Sequence, residues 1–508
     1  MTAPESRSSA TSASVGPLDL GGIAFVGLLV RFAVAVVGRT TVEDGFYLRN
    51  AFAWSAGDTP YETFAHVAFP FVEAIYAPFL SVAERPLVAA SAVTGVAVVA
   101  TALLVAATIG RRAGRGAAWA GALLYLLSAP GLAFHAFERE VWSNLGLAAA
   151  VWWLFARRSV SDRRAALGGV LLALAATAKL TAGVGAAAIV VALARRREGR
   201  AALVATAFAG AALGAAALLL TARFGEEFPI QVFLFFFFKG AATDLAGRGF
   251  VLLQHVDPTL GLGLVGAVVA LLRRDEAARP AVVLLGAWLA YYAFVSSSFW
   301  NHNALDLALP AALLGGPLLA GLVRRPRPAV VLAVVVTLFP SLGLVAPLRP
   351  TWFPHGFGGG QETAIEAEAG FLRDAAPAEA FVLAPSPAVG LAARRISFVG
   401  DYEVEPVVRA LQAEVRRRGL EAAWKRRSTG ALLGAPPGTP SPPPDTNLFR
   451  ARIVQSVFLH VVPRTIDAVR AGEIAAALDP MPPPVAEAVK AAGGRGGAGG
   501  WRLDARER

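Results

Sequence analysis

Two adjacent carboxylates, Glu43 and Asp44, lie in the run Thr40-Thr41-Val42-Glu43-Asp44-Gly45-Phe46-Tyr47, directly after an apolar stretch. Charge beside a membrane span is costly to place, which makes such groups candidates for function. Either carboxylate has the chemistry of a general base, accepting a proton from a hydroxyl as its oxygen attacks an electrophilic carbon. Thr40-x-x-Glu43 has capping-box spacing and Thr41-x-x-Asp44 is a weaker version, so a helix is expected to start here and run to about Trp54. Glu43 is then as much a helix cap as a reactive group. Asp44 is the poorer capping partner and the favoured base. Three- and four-residue spacing puts Asp44, Tyr47, Ala51 and Trp54 on one helix face.

Further polar candidates cluster between apolar runs. Tyr61 closes the turn Gly57-Asp58-Thr59-Pro60-Tyr61, and His66 opens an amphipathic segment that passes Glu73 and ends near Pro78. Together with the first helix these read as two helices lying along a membrane surface. Arg139, between Glu138 and Glu140, offers either a phosphate ligand or an intraloop salt bridge, and Lys179, Lys239 and Arg248 are further phosphate candidates. Lys239 equally suits interfacial snorkelling. Glu138-x-Glu140 is an oxygen pair of the kind a divalent cation, Mg or Mn, can use, although two acids are a weak metal signature. Asn301 and His302, in the turn Trp300-Asn301-His302-Asn303, can hydrogen-bond sugar or phosphate oxygens or simply finish a helix. The Phe-rich run from Phe228 to Phe238 either lies in the interface and lines an entry for a lipid tail or extends a lipid-facing span. Arg31, inside the first apolar run, should pair with an acidic group of the outer loop.

The elements that must position these groups are membrane helices. The chain has 508 residues, of which 56% are hydrophobic and 16% charged, and its mean hydropathy is +0.55. That composition is an α-helical polytopic membrane protein, not a soluble globular one. The net charge of +11 does not imply nucleic acid, because the arginines stand in short clusters between apolar runs, as the positive-inside rule places them. The absence of cysteine excludes disulfides and thiol chemistry. Residues 1–17 lack the basic start and cleavage site of a signal peptide and read as a disordered cytoplasmic tail.

Apolar runs are found at 18–38, 86–110, 116–135, 141–156, 201–222, 256–272, 280–298, 303–323 and 328–346. If every arginine cluster is cytoplasmic, an even number of crossings separates neighbours. The stretch 165–194 must then go out and return as two short helices with a turn near Thr177 to Thr181, the alternative being one long tilted helix with Lys179 snorkelling. About 11 transmembrane helices result, with the first loop, 39–85, outside. Residues 18–346 form the membrane domain, and residues 347–508 are expected to build a soluble extracytoplasmic α/β domain, with a helix from Glu362 to Arg373 and strands at Phe381 to Ala384 and Ile453 to Val462.

Glu43-Asp44-Gly45-Phe46-Tyr47, Ala51, Gly57, Pro60-Tyr61 and the approach from His66 to Pro70 together resemble the first outer loop of GT-C fold membrane glycosyltransferases. The bacterial members of glycosyltransferase family 39, the protein-mannosyltransferase and aminoarabinose-transferase-like enzymes, share this order of features. The resemblance implies a GT-C-like fold and an inverting transferase. Its donor would be a polyprenyl-phosphate monosaccharide and its acceptor an extracytoplasmic lipid, glycan or protein. The base would be an acid of the first outer loop, Tyr47, Tyr61 and His66 would line the substrate site, and no cofactor is required. It also implies the bacterial inner (plasma) membrane, with the active site and carboxyl domain on the outer face. Many relatives read Asp-Glu where this chain reads Glu43-Asp44, which leaves the identity of the base open. A secondary transporter or lipid flippase, and a glycosyltransferase-like protein without catalysis, are the rival readings. Against transport stands the lack of an internal repeat.

Overall fold

The computed structural model describes residues 15–37, 42–133, 136–157, 159–234, 256–296, 303–326, 328–338, 360–384, 386–399, 404–419, 421, 461–479, 481–497 and 500–504. Helix α1 (Pro17–Val37) is followed by α2 (Val42–Ser55) and α3 (Phe71–Val82), which pack on each other, and by α4 (Pro86–Ala113), which packs on α1 and α3. Next come α5 (Arg115–Leu126), the short α6 (Ala129–Ala133), α7 (Arg139–Phe155), α8 (Asp162–Ala178), α9 (Gly183–Arg195) and α10 (Gly199–Phe224). One turn, α11 (Glu227–Pro229), passes into a π-turn at Ile230–Leu234, and α12 (Pro258–Leu272), α13 (Arg279–Ala290), α14 (Ala304–Arg324) and α15 (Pro328–Leu338) complete the helical part.

Among the described residues, four helices are long and apolar enough to cross a bilayer unaided: Pro17–Ala35, Pro86–Ala113, Gly199–Phe224 and Ala304–Arg324. Leu203, Phe208, Leu218 and Leu219 of α10 and Phe25, Leu28, Leu29 and Phe32 of α1 are exposed. Lipid is the solvent for which such surfaces are suited. Inside the bundle, small residues let backbones meet: a Cβ on Gly316 of α14 would lie 2.7 Å from Gly121 of α5, and one on Gly263 of α12 would lie 2.4 Å from Ala311. Without a hydrophobic drive in lipid, such close packing carries much of helix association.

The arginine clusters gather at one end. Arg115 pairs with Asp19 at 2.5 Å, the Arg111 guanidinium lies 5.0 Å from the Trp152 ring centroid, and Arg279 donates to the Arg195 carbonyl at 3.5 Å. Arg112, Arg273, Arg324 and Arg325 line one cavity there. Arg196 donates to the Arg157 carbonyl at 3.2 Å and Arg200 meets Asp162 at 2.5 Å, so the chain between them leaves this end and comes back to it. The two short helices are α8 and α9, broken at Lys179, whose φ of −148° and ψ of 118° are extended. A 3-10 turn at Leu180–Ala182 follows.

The expected single span over 116–135 is corrected. Helix α5 stops at Leu126, and α6 starts anew at Ala129. Pro130 lacks an N–H with which to continue α5 and takes the second position of α6, where none is needed. The break is filled by Asp257, whose carboxylate accepts from Ala129 N at 3.0 Å and from Leu260 N at 2.7 Å, tying the break to the start of α12.

Beyond residue 359, α16 (Gly360–Ala375), β1 (Phe381–Leu383), α17 (Pro387–Ala392), β2 (Ile396–Ser397), α18 (Val404–Arg418), α19 (Val462–Ala471), β3 (Ile474–Leu478), α20 (Pro483–Ala491), β4 (Arg495–Gly497) and β5 (Gly500–Arg502) follow. The strands form one sheet in the order β2-β1-β3-β5-β4, parallel among the first three and antiparallel thereafter. The helix expected from Glu362 to Arg373 is α16, and the strand expected at Phe381 is β1. Of the strand expected over Ile453 to Val462, residues 453–460 lie outside the described residues, and Val462 begins a helix. Pro463 takes the second position of that helix, where a missing N–H costs nothing.

Candidate functional site

Helix α2 is described from Val42 to Ser55, ending one residue beyond the Trp54 expected from the sequence. The backbone of Glu43 and Asp44 is in its first turn. Their side chains, and the capping threonines Thr40 and Thr41, lie outside the described residues. One turn further along, the Tyr47 ring stacks on Phe137, with centroids 5.3 Å apart. The Arg139 guanidinium lies over the other partner of this pair, 4.5 Å from the Tyr47 centroid. Arg139 is thereby held against α2, the helix whose first turn carries the backbone of Glu43 and Asp44.

Arg139 does not close a salt bridge within its own loop. It donates to Oε1 of Glu73, on α3, and both groups are buried. Oε2 of Glu73 lies 3.4 Å from Nε2 of His66. Burial pushes the Glu73 carboxyl up, but the Arg139 charge and the His66 ring more than offset it and hold the group at about 2. His66 is fixed through its backbone, whose N–H donates to Gln231 Oε1 at 2.9 Å; the same Gln231 donates to the Tyr61 carbonyl at 2.7 Å. Tyr61 is fully buried and its hydroxyl donates to the Ala68 carbonyl at 2.5 Å, so it shapes the loop from within. Its ring meets that of His66 edge-on at 5.3 Å.

Glu140 faces a second buried cluster. The Lys179 ammonium donates to Glu140, to Asn303 Oδ1 at 2.9 Å and to Asp306 Oδ2 at 3.0 Å, and the Tyr292 hydroxyl also donates to Asp306. An ammonium has three hydrogens, and these partners take all of them. The helix break at Lys179 thus serves to bring one cation to the first turns of α7 and α14. Arg31 donates to the Gly131 carbonyl at 2.6 Å; that carbonyl belongs to α6, which has few residues with which to satisfy its own backbone.

The carboxyl-terminal elements close over this loop. Arg49 of α2 donates to the Ser397 carbonyl at 2.8 Å, and Arg394 donates to the Ala83 and Ser81 carbonyls at 2.8 and 2.9 Å, satisfying the end of α3. Glu227 receives Gln412 and Arg416 from α18.

Of the residues expected from sequence, Tyr47, Tyr61, His66, Arg139, Glu140 and Lys179 come together at the end of the bundle opposite the arginine clusters. Glu138, the residue before α7, is buried beside them. Lys239, Arg248, Asn301 and His302 lie outside the described residues. Among the described residues no group of three or more acidic or histidine side chains has metal-holding geometry, and Glu140 is engaged by Lys179. Glu73, Asp306, Tyr292 and Gln231 were not singled out from the sequence as site residues. Asp306 had a usable signal, since a carboxylate inside an otherwise apolar span is a functional candidate by position alone.

No known protein-family profile and no curated protein matches the chain. Solved structures do. The crystal structure of ArnT from Cupriavidus metallidurans bound to undecaprenyl phosphate superimposes with a TM-score of 0.51 at 14% sequence identity, over 89% of this chain and 80% of that one. The chain shares the overall fold of that structure. At this identity the likeness carries the architecture, and the aromatic and ionic contacts described above are this chain's own.

Proposed function

We propose that the chain is an integral membrane glycosyltransferase that moves a monosaccharide from a polyprenyl phosphate to a lipid, glycan or protein acceptor on the extracytoplasmic side of a bacterial inner membrane. The observation that carries this reading is the shared fold with an ArnT whose structure holds undecaprenyl phosphate. It is supported by the polar cluster at one end of the bundle, beside the helix that bears Glu43 and Asp44. Asp44, or Glu43 in its place, takes the proton of the acceptor hydroxyl as its oxygen bonds to the anomeric carbon. The bond from that carbon to the phosphate oxygen breaks with inversion, and the electron pair leaves on the phosphate. That leaving group is stable as an anion, so it needs a cation more than an acid.

Arg139 is the best placed cation, since its Nε is buried with no hydrogen-bond partner and its guanidinium lies over the Tyr47 ring of the helix that bears Glu43 and Asp44. Lys179 has no ammonium hydrogen to spare and serves to order the site. Lys239 and Arg248 remain phosphate contacts, and Asn301 and His302 sugar contacts, in this proposal. No divalent cation is required. The carboxyl-terminal elements form an outer domain that orders the base-bearing helix and helps select the acceptor. Membranes containing Asp44→Asn or Glu43→Gln, supplied with a radiolabelled prenyl-phosphate sugar, test the assignment. One variant should lose transfer by about 100-fold or more, the usual contribution of a general base. Full transfer by both would sink it.

A further inference from the structure

The arginine-rich end contains a cavity that the transfer reaction does not use. It has a volume of about 490 Å³ and lies among the carboxyl ends of α4, α7 and α9 and the segment that enters α13. Arg111, Arg112, Arg157 and Arg196 converge on it above Trp152 and Phe155. The first three arginines are exposed and the fourth is half-buried. Arg111 is held 5.0 Å from the centroid of Trp152 and Arg196 5.3 Å from that of Phe155. Stacking of this kind occupies the guanidinium face, and at Arg111 it leaves the N–H edge for an oxygen anion.

Two ordinary explanations account for part of this charge. The positive-inside rule places arginines at this end, and the negative ends of helices attract them. Arg112 Nε indeed donates to the Thr108 carbonyl at 3.3 Å and Arg196 to the Arg157 carbonyl at 3.2 Å. Three helix ends of about half a charge each still fall well short of four guanidiniums. Of the nearby acids, Asp275 acts on Arg112 and the lining Glu276 already pairs with Arg279, so the surplus rests on Arg111 and Arg157. The cavity keeps a surplus of positive charge over an aromatic wall, at the level where membrane helices emerge among headgroups.

We propose that this cavity binds the phosphate of an anionic phospholipid from the leaflet at the arginine-rich end. Charge selects the anionic headgroup, and the aromatic wall, at the depth where Trp residues favour the interface, selects a lipid over a small ion. The ligand is distinct from the sugar donor, and its site lies at the opposite end of the bundle from Lys179.

The full-length protein, purified in detergent, is examined by native mass spectrometry and thermal unfolding with phosphatidylglycerol, phosphatidylcholine or inorganic phosphate. Phosphatidylglycerol should be retained at least about ten-fold more tightly than phosphatidylcholine, and Arg111→Gln/Arg157→Gln should lose at least about ten-fold of that preference. Equal retention of the two lipids overturns the proposal, as does unchanged preference in the double variant. Inorganic phosphate that binds as tightly as phosphatidylglycerol also overturns it, by making the ligand a free ion. If the double variant does not fold, the comparison of the three ligands on the wild-type protein decides. Sugar transfer is not the readout, so failure of this proposal is separable from failure of the transferase reading.

Discussion

Gly45 of α2 lies against the backbone of Ala388 in α17, so closely that a Cβ added to Gly45 would stand 2.6 Å from the Ala388 nitrogen. A carboxyl-terminal helix thereby sets the height of the helix that carries Glu43 and Asp44. Arg49, one turn further along α2, reinforces the contact through the Ser397 carbonyl.

Gly45→Ala should therefore displace the base from its acceptor. A misplacement of about 1 Å can cost on the order of 100-fold in rate, and the loss is expected in kcat more than in KM. Transfer kinetics and thermal unfolding, measured together, check this. Wild-type kcat in a well-folded Gly45→Ala protein would remove Gly45 from any positioning role.

Glu73 makes stability depend on acid. Its carboxyl is held at about 2, against 4.5 when unperturbed, so the unfolded chain binds the proton more readily. The stabilisation is complete above pH 4.5 and is lost as pH falls from there toward about 2. Its size is on the order of 3 kcal/mol, from the depression of the carboxyl pKa. Unfolding in detergent between pH 7 and pH 3 should show this slope, and Glu73→Gln should flatten it. The same change leaves the buried Arg139 cation without its anion, costing about 3–5 kcal/mol at neutral pH.

Lys179→Met should take from the buried Glu140 and Asp306 the ammonium that they share. A loss of about 3–5 kcal/mol is expected. Adding Glu140→Gln to that variant should recover part of it, because one of the two negative charges is then gone. Melting temperatures of the single and double variants provide the check. A double variant less stable than Lys179→Met would show that the cluster is not held by charge pairing.

Transfer should persist in excess EDTA, because the proposed leaving phosphate meets Arg139 and not a metal ion. Activity abolished by the chelator and restored by Mg or Mn would return Glu138 and Glu140 to the role of metal ligands.

The sequence by itself determined the membrane class and the positions of the apolar helices, because hydropathy and length are local properties. Arginine clusters also predicted the out-and-back pair at 165–194, since charge placement constrains the parity of crossings. The break at Leu127 and Ser128, just before Pro130, was local too, but the Pro signal was overridden by a run of apolar residues. Only the tertiary structure decided who meets whom. It turned Arg139 from its flanking glutamates to Glu73, gave all of Lys179's hydrogens to Glu140, Asn303 and Asp306, and set Gly45 against Ala388. The partners in these contacts are 66, 39, 124, 127 and 343 residues apart in the chain, the last from positions 45 and 388. A buried charge must find a partner, and spacing along a chain does not name one until the helices have packed.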